Sequence, residues 1–258
     1  EYGYSIYFGF GDFEYQLMKD LGIKVKHYIA AGSLRSGLFL SGPKYNAKVE
    51  TNRVTYISQF RPFMKQSEDV MSRWMREFDD LQKSISTFTC DFCCSNIFSM
   101  NIAMVNSNEV DWHGLNIHYD DELNFYQSYL NNYDVMYHDN NRDDLSAYGL
   151  CMSSEVVITM DSTLAFEIFG CGKKVLFCTP MDNNYMNENG FAKNFERMPK
   201  ETILESAIYE DFSSKLSSLI SMTDMEYLEL TKDARSFYMK CQTPYANKII
   251  EEYISNHI

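Results

Sequence analysis

Residues 155–178 read EVVITMDSTLAFEIFGCGKKVLFC: two short apolar runs flank a segment with helical spacing. Val156-Val157-Ile158 carries no polar alternation, so a strand built from it must be covered on both faces. Asp161-Ser162-Thr163 opens the middle segment as a helix cap would, and Gly170 stops it. A second apolar run, Lys174–Cys178, ends at Pro180. Two fully covered strands joined by one short helix lie parallel, and parallel sheets need helices on both sides.

The same alternation runs through the chain. Tyr2–Phe10 reads as a strand, Asp12–Leu21 as a helix closed by Gly22, and Lys24–Ile29 as a half-buried strand leading into Ala31-Gly32-Ser33-Leu34-Arg35. Residues 41–52 (SGPKYNAKVETN) are polar with Gly and Pro, the signature of a linker. Beyond it, strands are expected at Arg53–Ser58, Met100–Val105, Leu115–His118, Tyr133–Tyr137 and Glu155–Met160, with helices at Ser67–Phe88, Asp121–Leu130, Asp143–Leu150 and Ser162–Phe169. Residues 181–190 form an Asn-rich loop, and the tail from Glu201 reads as helical with a break near Pro244. The expected fold is α/β, a Rossmann-like doubly wound parallel sheet.

Composition narrows the function. A net charge of −13 without a dense basic cluster repels nucleic acid. No apolar run approaches the ~20 residues that span a bilayer, and no secretory leader is visible. The seven cysteines are scattered, which fits reduced thiols in a cytoplasmic protein. Cys90-x-x-Cys93 lacks a second ligand pair, since His113 and His118 have no Cys or acidic partner at metal spacing. No strand is followed by Gly-x-Gly-x-x-Gly, which disfavours a dehydrogenase. The chain opens on Glu1 inside a patterned segment, pointing to a piece of a longer protein.

In doubly wound sheets ligands sit beyond the carboxyl ends of the strands, facing helix N-termini. That directs attention to Ser58-Gln59-Phe60-Arg61, His118-Tyr119 and Asp161-Ser162-Thr163. Hydroxyls at a helix N-terminus suit a phosphate oxygen, yet Ser, Thr and Asp are also the commonest caps. Glu167, among Ala165, Phe166, Ile168 and Phe169, needs hydrogen-bond donors if it is buried. A ribose diol would provide two; otherwise the side chain turns to water.

The D-S-T-L-x-x-E-x-x-x-x-G-K-K-V block resembles the nucleotide-sugar region of GT-B glycosyltransferases, and more narrowly transferases of bacterial surface-polysaccharide and lipopolysaccharide assembly. Gly11-Asp12-Phe13-Glu14 followed by Gly32-Ser33-Leu34-Arg35 is similar to that family's G-x-x-E and G-S-L-R, and Thr55–Arg61 and Leu145–Tyr148 agree in order and spacing. The resemblance spans most of residues 8–180. It implies a nucleotide-sugar donor domain at 49–258 with its helical tail, and a remnant of an acceptor-side domain at 1–45.

Fold relatives that use CMP-sugars pair His-Pro at one strand end with Ser-Ser/Thr at another. Ser162-Thr163 matches the second element, whereas His118 is followed by Tyr119, which keeps UDP- and GDP-linked donors open beside CMP. The resemblance thus implies a metal-independent glycosyltransferase without cofactor, an expectation matched by the lack of any Asp-x-Asp. Its partners would be a nucleotide-sugar and a glycan or lipid-linked glycan, the latter met at the inner membrane face.

Candidate donor contacts are Ser58, Gln59, Phe60, Arg61, His118, Ser162 and Thr163, with Glu167 for the ribose and Tyr148 or Phe60 for stacking. Glu14 is the candidate base or nucleophile, competing with a solvated helix-face role; Glu68 and Asp69 are weaker alternatives. Arg35 can meet an anionic donor or acceptor, or pair with Glu14. Two other functions fit the same architecture: a nucleotide-sugar 2-epimerase, which turns over donor without acceptor, and a non-catalytic nucleotide- or sugar-binding module.

Overall fold

The computed structural model describes residues 3–42, 50–60, 70–105, 118–139, 145–180 and 195–257, with side chains from residue 76 onward in the helix that starts at Val70. Arg61, Glu68, Asp69, residues 115–117 of the strand expected at Leu115–His118 and the loop 181–190 lie outside the described residues.

The first unit is β1 (Gly3–Gly9), α1 (Asp12–Asp20), β2 (Lys24–Ala30) and α2 (Leu34–Ser41). Gly22 takes φ +72° after α1, the left-handed turn a helix stop requires. β1 and β2 pair parallel as a two-stranded sheet of their own. Helix α2, which the sequence pattern did not announce, is capped by Ser33, whose hydroxyl accepts from Ser36 N at 3.3 Å.

The second sheet is built from β3 (Arg53–Ile57), β4 (Ser99–Ala103), β5 (Val135–His138), β6 (Val156–Thr159), β7 (Val175–Cys178) and β8 (Ile203–Leu204). All six are parallel in the order β5-β4-β3-β6-β7-β8. Tyr56 of β3 lies opposite Ile102 on one side and Ile158 on the other. Every residue of β6 and β7 is buried, as their unbroken apolar runs require. Counted from β3, this is the Rossmann order, and the chain reverses direction of growth between β3 and β6. A crevice therefore opens at the carboxyl ends of those two strands.

The helices of this unit are α3 (Val70–Asn96), α4 (Tyr119–Leu130), α5 (Ser146–Ser153), α6 (Thr163–Gly170), α7 (Tyr209–Ser221), α8 (Asp224–Tyr238) and α9 (Ala246–His257). Helix α3 runs well past Phe88 because Cys90, Phe92 and Cys93 extend its buried stripe beyond Phe78, Leu81 and Ile85. The tail is not all helix: a 3-10 turn at Lys200–Thr202 leads into β8, which pairs Ile203 with Phe177 and Leu204 with Cys178. His118 precedes α4 as its exposed N-terminal flanking residue, with its carbonyl accepting from Asp121 N and Glu122 N at 3.1 and 3.3 Å.

Lys174 of the Gly-Lys-Lys stretch is buried, and its ammonium donates to the Met222 carbonyl and, at 3.5 Å, to the Ile220 carbonyl at the end of α7. Replacing it with Met should leave those carbonyls unsatisfied and cost about 1–3 kcal/mol. Urea denaturation of K174M checks this; an unchanged midpoint refutes it.

After α8 the chain passes back to the first unit. Lys240 N donates to the Phe10 carbonyl at 2.8 Å, Asn247 Nδ2 donates to Ser41 Oγ at 3.1 Å, and Tyr253 meets Phe8 edge-on at 5.5 Å. Gly32, at φ +89°, makes room for this return: a Cβ there would sit 1.9 Å from the Lys240 carbonyl oxygen. No helix of the described residues is long and apolar enough to cross a membrane.

Candidate functional site

The crevice between β3 and β6 is closed at its base by one side chain. Gln59, just past β3, donates through Nε2 to the Asp161 carbonyl and accepts from Asp161 N at 2.6 Å. Its own backbone N–H donates to Gln82 Oε1 of α3 at 2.8 Å. Gln59 ties the two strand ends together, with its amide nitrogen and its amide oxygen both bonded to the Asp161 backbone. Phe60 is buried against Phe125 at 5.2 Å.

Ser58 accepts from Tyr126 OH at 2.7 Å and from Phe60 N at 3.2 Å, and it also bonds Glu122. These contacts use both lone pairs and the proton of a hydroxyl. Three of the four expected donor contacts in 58–61 are thus turned inward in this structure, and the fourth, Arg61, is outside the described residues.

The opposite wall is more open. Ser162 flanks α6 with extended backbone, and its hydroxyl makes no capping bond to the helix. Ala165 N and Phe166 N reach the Ser162 carbonyl at 3.1 and 3.4 Å, whereas the first N–H groups of the helix have no backbone partner among the described residues. Thr163 is exposed. It lines a cavity of about 200 Å³ between α6 and α1. Phe10, Phe13, Glu14 and Leu17 form the α1 side, Thr163 and Phe166 the α6 side, and Phe195, Tyr238 and Met239 complete the lining. Two residues singled out independently in the sequence, Glu14 and Thr163, face one cavity.

Glu14 is held from its own unit. Tyr7 OH donates to Oε1 at 2.6 Å and Phe10 N to Oε2 at 2.8 Å. Burial, reinforced by the bond to Glu14, pushes the Tyr7 hydroxyl up to about 12, so it stays a donor at physiological pH. Tyr28 stacks on Tyr7 and Tyr15 and donates to the Gly11 carbonyl at 2.5 Å, steadying the turn that presents Glu14.

Glu167 is 7% exposed, and its donors are the protein's own rather than a ribose. Ser33 Oγ donates to Oε2 at 2.6 Å, Ser36 Oγ at 3.4 Å, and Tyr148 OH also donates to Oε2. Burial and then the adjacent Glu167 charge raise the Tyr148 hydroxyl, which keeps it protonated. Tyr148 is itself buried, packed on Phe39 at 5.6 Å with the Arg35 guanidinium 5.9 Å from its ring centre. This cluster joins α2, α5 and α6, and so joins the first unit to the second. Arg35 lies beside it as a positive charge near a buried carboxylate.

A buried acid that sequence patterning missed stands on the other side of β3. Glu122 is fully buried in the first turn of α4, where Asp120 and Asp121 make it look like an ordinary helix-dipole residue. Val105 N, past the end of β4, donates to its two oxygens at 3.1 and 2.9 Å. Burial pushes its carboxyl up to about 8 against the bonds from Ser58 and Val105. Among the described residues no group of three or more His, Cys, Asp and Glu is arranged to hold a metal ion.

The structure is similar to the Methanocaldococcus jannaschii UDP-GlcNAc 2-epimerase in complex with UDP-GlcNAc and UDP, at 11% identity and TM-score 0.54, covering 98% of this chain and 61% of that one. It is similar to the wall teichoic acid polymerase TagF, at 13% identity and TM-score 0.53, covering 98% and 57%. It is also similar to the S. aureus MnaA–UDP co-structure, at 11% identity and TM-score 0.51, covering 90% and 55%. Likeness at these identities is likeness of fold, the GT-B arrangement of Rossmann-like units, and this chain spans little more than half of each neighbour. No curated protein matches the chain in sequence. Over residues 10–202 it does match the family described as "putative O-antigen biosynthesis protein", and the chain belongs to that family.

Proposed function

We propose that this chain carries the donor-binding part of a glycosyltransferase that moves a sugar from a nucleotide-activated donor to a surface glycan, with residues 49–258 as the donor domain and 1–45 as the acceptor side. The observation that carries the proposal is the shared cavity: the open amino end of α6 on one wall and the Glu14 carboxylate on the other. Ser162, Thr163 and the first backbone N–H groups of α6 receive the departing phosphate, stabilising charge as it develops. The sugar then lies toward α1. There Glu14 takes the proton of the acceptor hydroxyl; its two protein bonds leave lone pairs for that purpose. Glu167 and Tyr148 act at one remove, holding α6 against α2. The exposed His118 remains a candidate contact to the nucleotide. The protein works in the cytoplasm, at the inner membrane face when its acceptor is lipid-linked.

Two of the similar structures hold UDP or a UDP-sugar, which makes UDP the first nucleotide to test, with CMP and GDP beside it. The same likeness favours one second reading, a nucleotide-sugar 2-epimerase, and the two differ in whether donor is consumed without acceptor.

A melting-temperature screen against UDP, CMP, GDP and their sugars tests the site. A ligand at a hundred times its Kd adds about 2.7 kcal/mol, roughly 5–10 °C for a chain of this size. Ser162→Ala with Thr163→Ala should abolish the shift. Glu14→Gln should preserve it while lowering transfer by about 100-fold or more. A shift that survives the double substitution sinks the phosphate site; full transfer in E14Q removes the base.

A further inference from the structure

Cys171 and Cys241 lie 70 residues apart in sequence, yet their sulfurs stand 3.2 Å apart. Both are free thiols and both are partly exposed. Cys171 caps the end of α6, and Cys241 follows α8 on the return segment that leads to α9. The backbone on both sides of the pair is tightly held. A Cβ on Gly170 would lie 2.5 Å from the Met239 carbonyl oxygen, and one on Gly11 would lie 2.3 Å from that of Phe237. The return segment is wedged between α6 and the first unit, and Lys240 N is bonded to the Phe10 carbonyl. The backbone that carries the two cysteines is thus held close on both sides.

We propose that Cys171 and Cys241 form a reversible disulfide when the protein meets an oxidised low-molecular-weight thiol, covalently fastening the return segment to α6. The attack begins at Cys241. The hydrogen bond with Cys171, reinforced by the Arg235 guanidinium nearby, lowers its pKa, which favours the thiolate. The Cys241 sulfur displaces one half of the oxidant and releases it as a thiolate. Cys171 then gives its proton to solvent and attacks the Cys241 sulfur, expelling the second half. Two protein thiols are oxidised, and one small disulfide is reduced to two thiols. The closed loop ties α9, and through it α2, to the sheet that carries the candidate donor site. This inference does not depend on what that site binds.

The test is equilibration of the purified chain in glutathione buffers from fully reduced to fully oxidised, followed by acid quenching and peptide mapping without reductant. The expected result is a peptide linking Cys171 to Cys241, loss of both from alkylation among the seven cysteines, and recovery of both with dithiothreitol. The melting temperature should rise on oxidation, because the cross-link restricts the unfolded chain. Cys171→Ser should stop at a single glutathione on Cys241. The proposal is overturned if both residues stay alkylatable across the series, or if oxidation links them to other cysteines instead. Mapping the wild-type chain decides this even if the variant fails to fold.

Discussion

Glu167→Ala is expected to destabilise the protein by about 3–5 kcal/mol, a fall in melting temperature on the order of 10 °C. One carboxylate oxygen receives Ser33, Ser36 and Tyr148, from α2 and α5, in a site 7% exposed to solvent. Removing it strands three buried hydroxyls, Ser33, Ser36 and Tyr148, and leaves a cavity among them. Single deletions of the donors, Ser33→Ala or Tyr148→Phe, should cost only about 1–2 kcal/mol each, because the carboxylate keeps its other partners. Glu167→Gln should fall between, since the amide accepts hydrogen bonds but brings an N–H₂ with nothing to receive it. Denaturant titration of the four variants checks the order. Amide exchange at α2 should accelerate in E167A before exchange in β6 does, because α2 loses its tie while the sheet keeps its ladder. Equal costs for all four would mean that the cluster is not a unit.

Glu122 should make stability fall as pH rises. Its carboxyl is raised from an ordinary 4.5 to about 8 in the folded chain, chiefly by burial. Between those values the folded state holds a proton that the unfolded state has lost, so unfolding becomes easier with each step up in pH. The stabilisation is complete below about pH 4.5 and gone above about pH 8. Its total is on the order of a few kcal/mol. Glu122→Gln removes the titrating group and keeps an acceptor for Val105 N. The variant should match the wild type near pH 5, and exceed it by that amount at pH 9. Parallel stability curves for the two proteins from pH 5 to 9 would show that Glu122 does not titrate in this range. Because Glu122 bonds Ser58 at the end of β3, its ionisation reaches the wall of the candidate donor crevice directly.

Much of the architecture was legible. The apolar runs at Val156–Thr159 and Val175–Cys178 became adjacent, fully buried parallel strands, and the helix between them stopped at Gly170 as expected. Gly22 ended α1, and Arg53–Ile57 became the central strand. Such features express burial of a face or freedom of a backbone dihedral, and both are written locally. Helix α2 and strand β8 were not legible. The first has eight residues with a Gly in its second turn, and the second is two residues long and exists only because β7 offers an edge.

The candidate site divides in the same way. Residue type and position along the chain marked Glu14, Ser162 and Thr163, and folding brought Glu14 and Thr163 to one cavity. By contrast, Ser58, Gln59, Phe60, Tyr148 and Glu167 carry the right chemistry for a ligand, yet their polar groups and rings are taken up by Gln82, Phe125, Tyr126, Asp161 and Ser33 from elsewhere in the chain. A hydroxyl or carboxylate in a sequence states what it can bond, not what will reach it first. The amino-acid sequence alone thus determined a parallel α/β protein in which a buried apolar strand at 156–159 runs into a helix that starts at Ser162-Thr163 and stops at Gly170. Only the tertiary structure decided which polar groups face an opening and which hold the fold together, because that choice depends on partners up to 134 residues away that packing alone brings into contact.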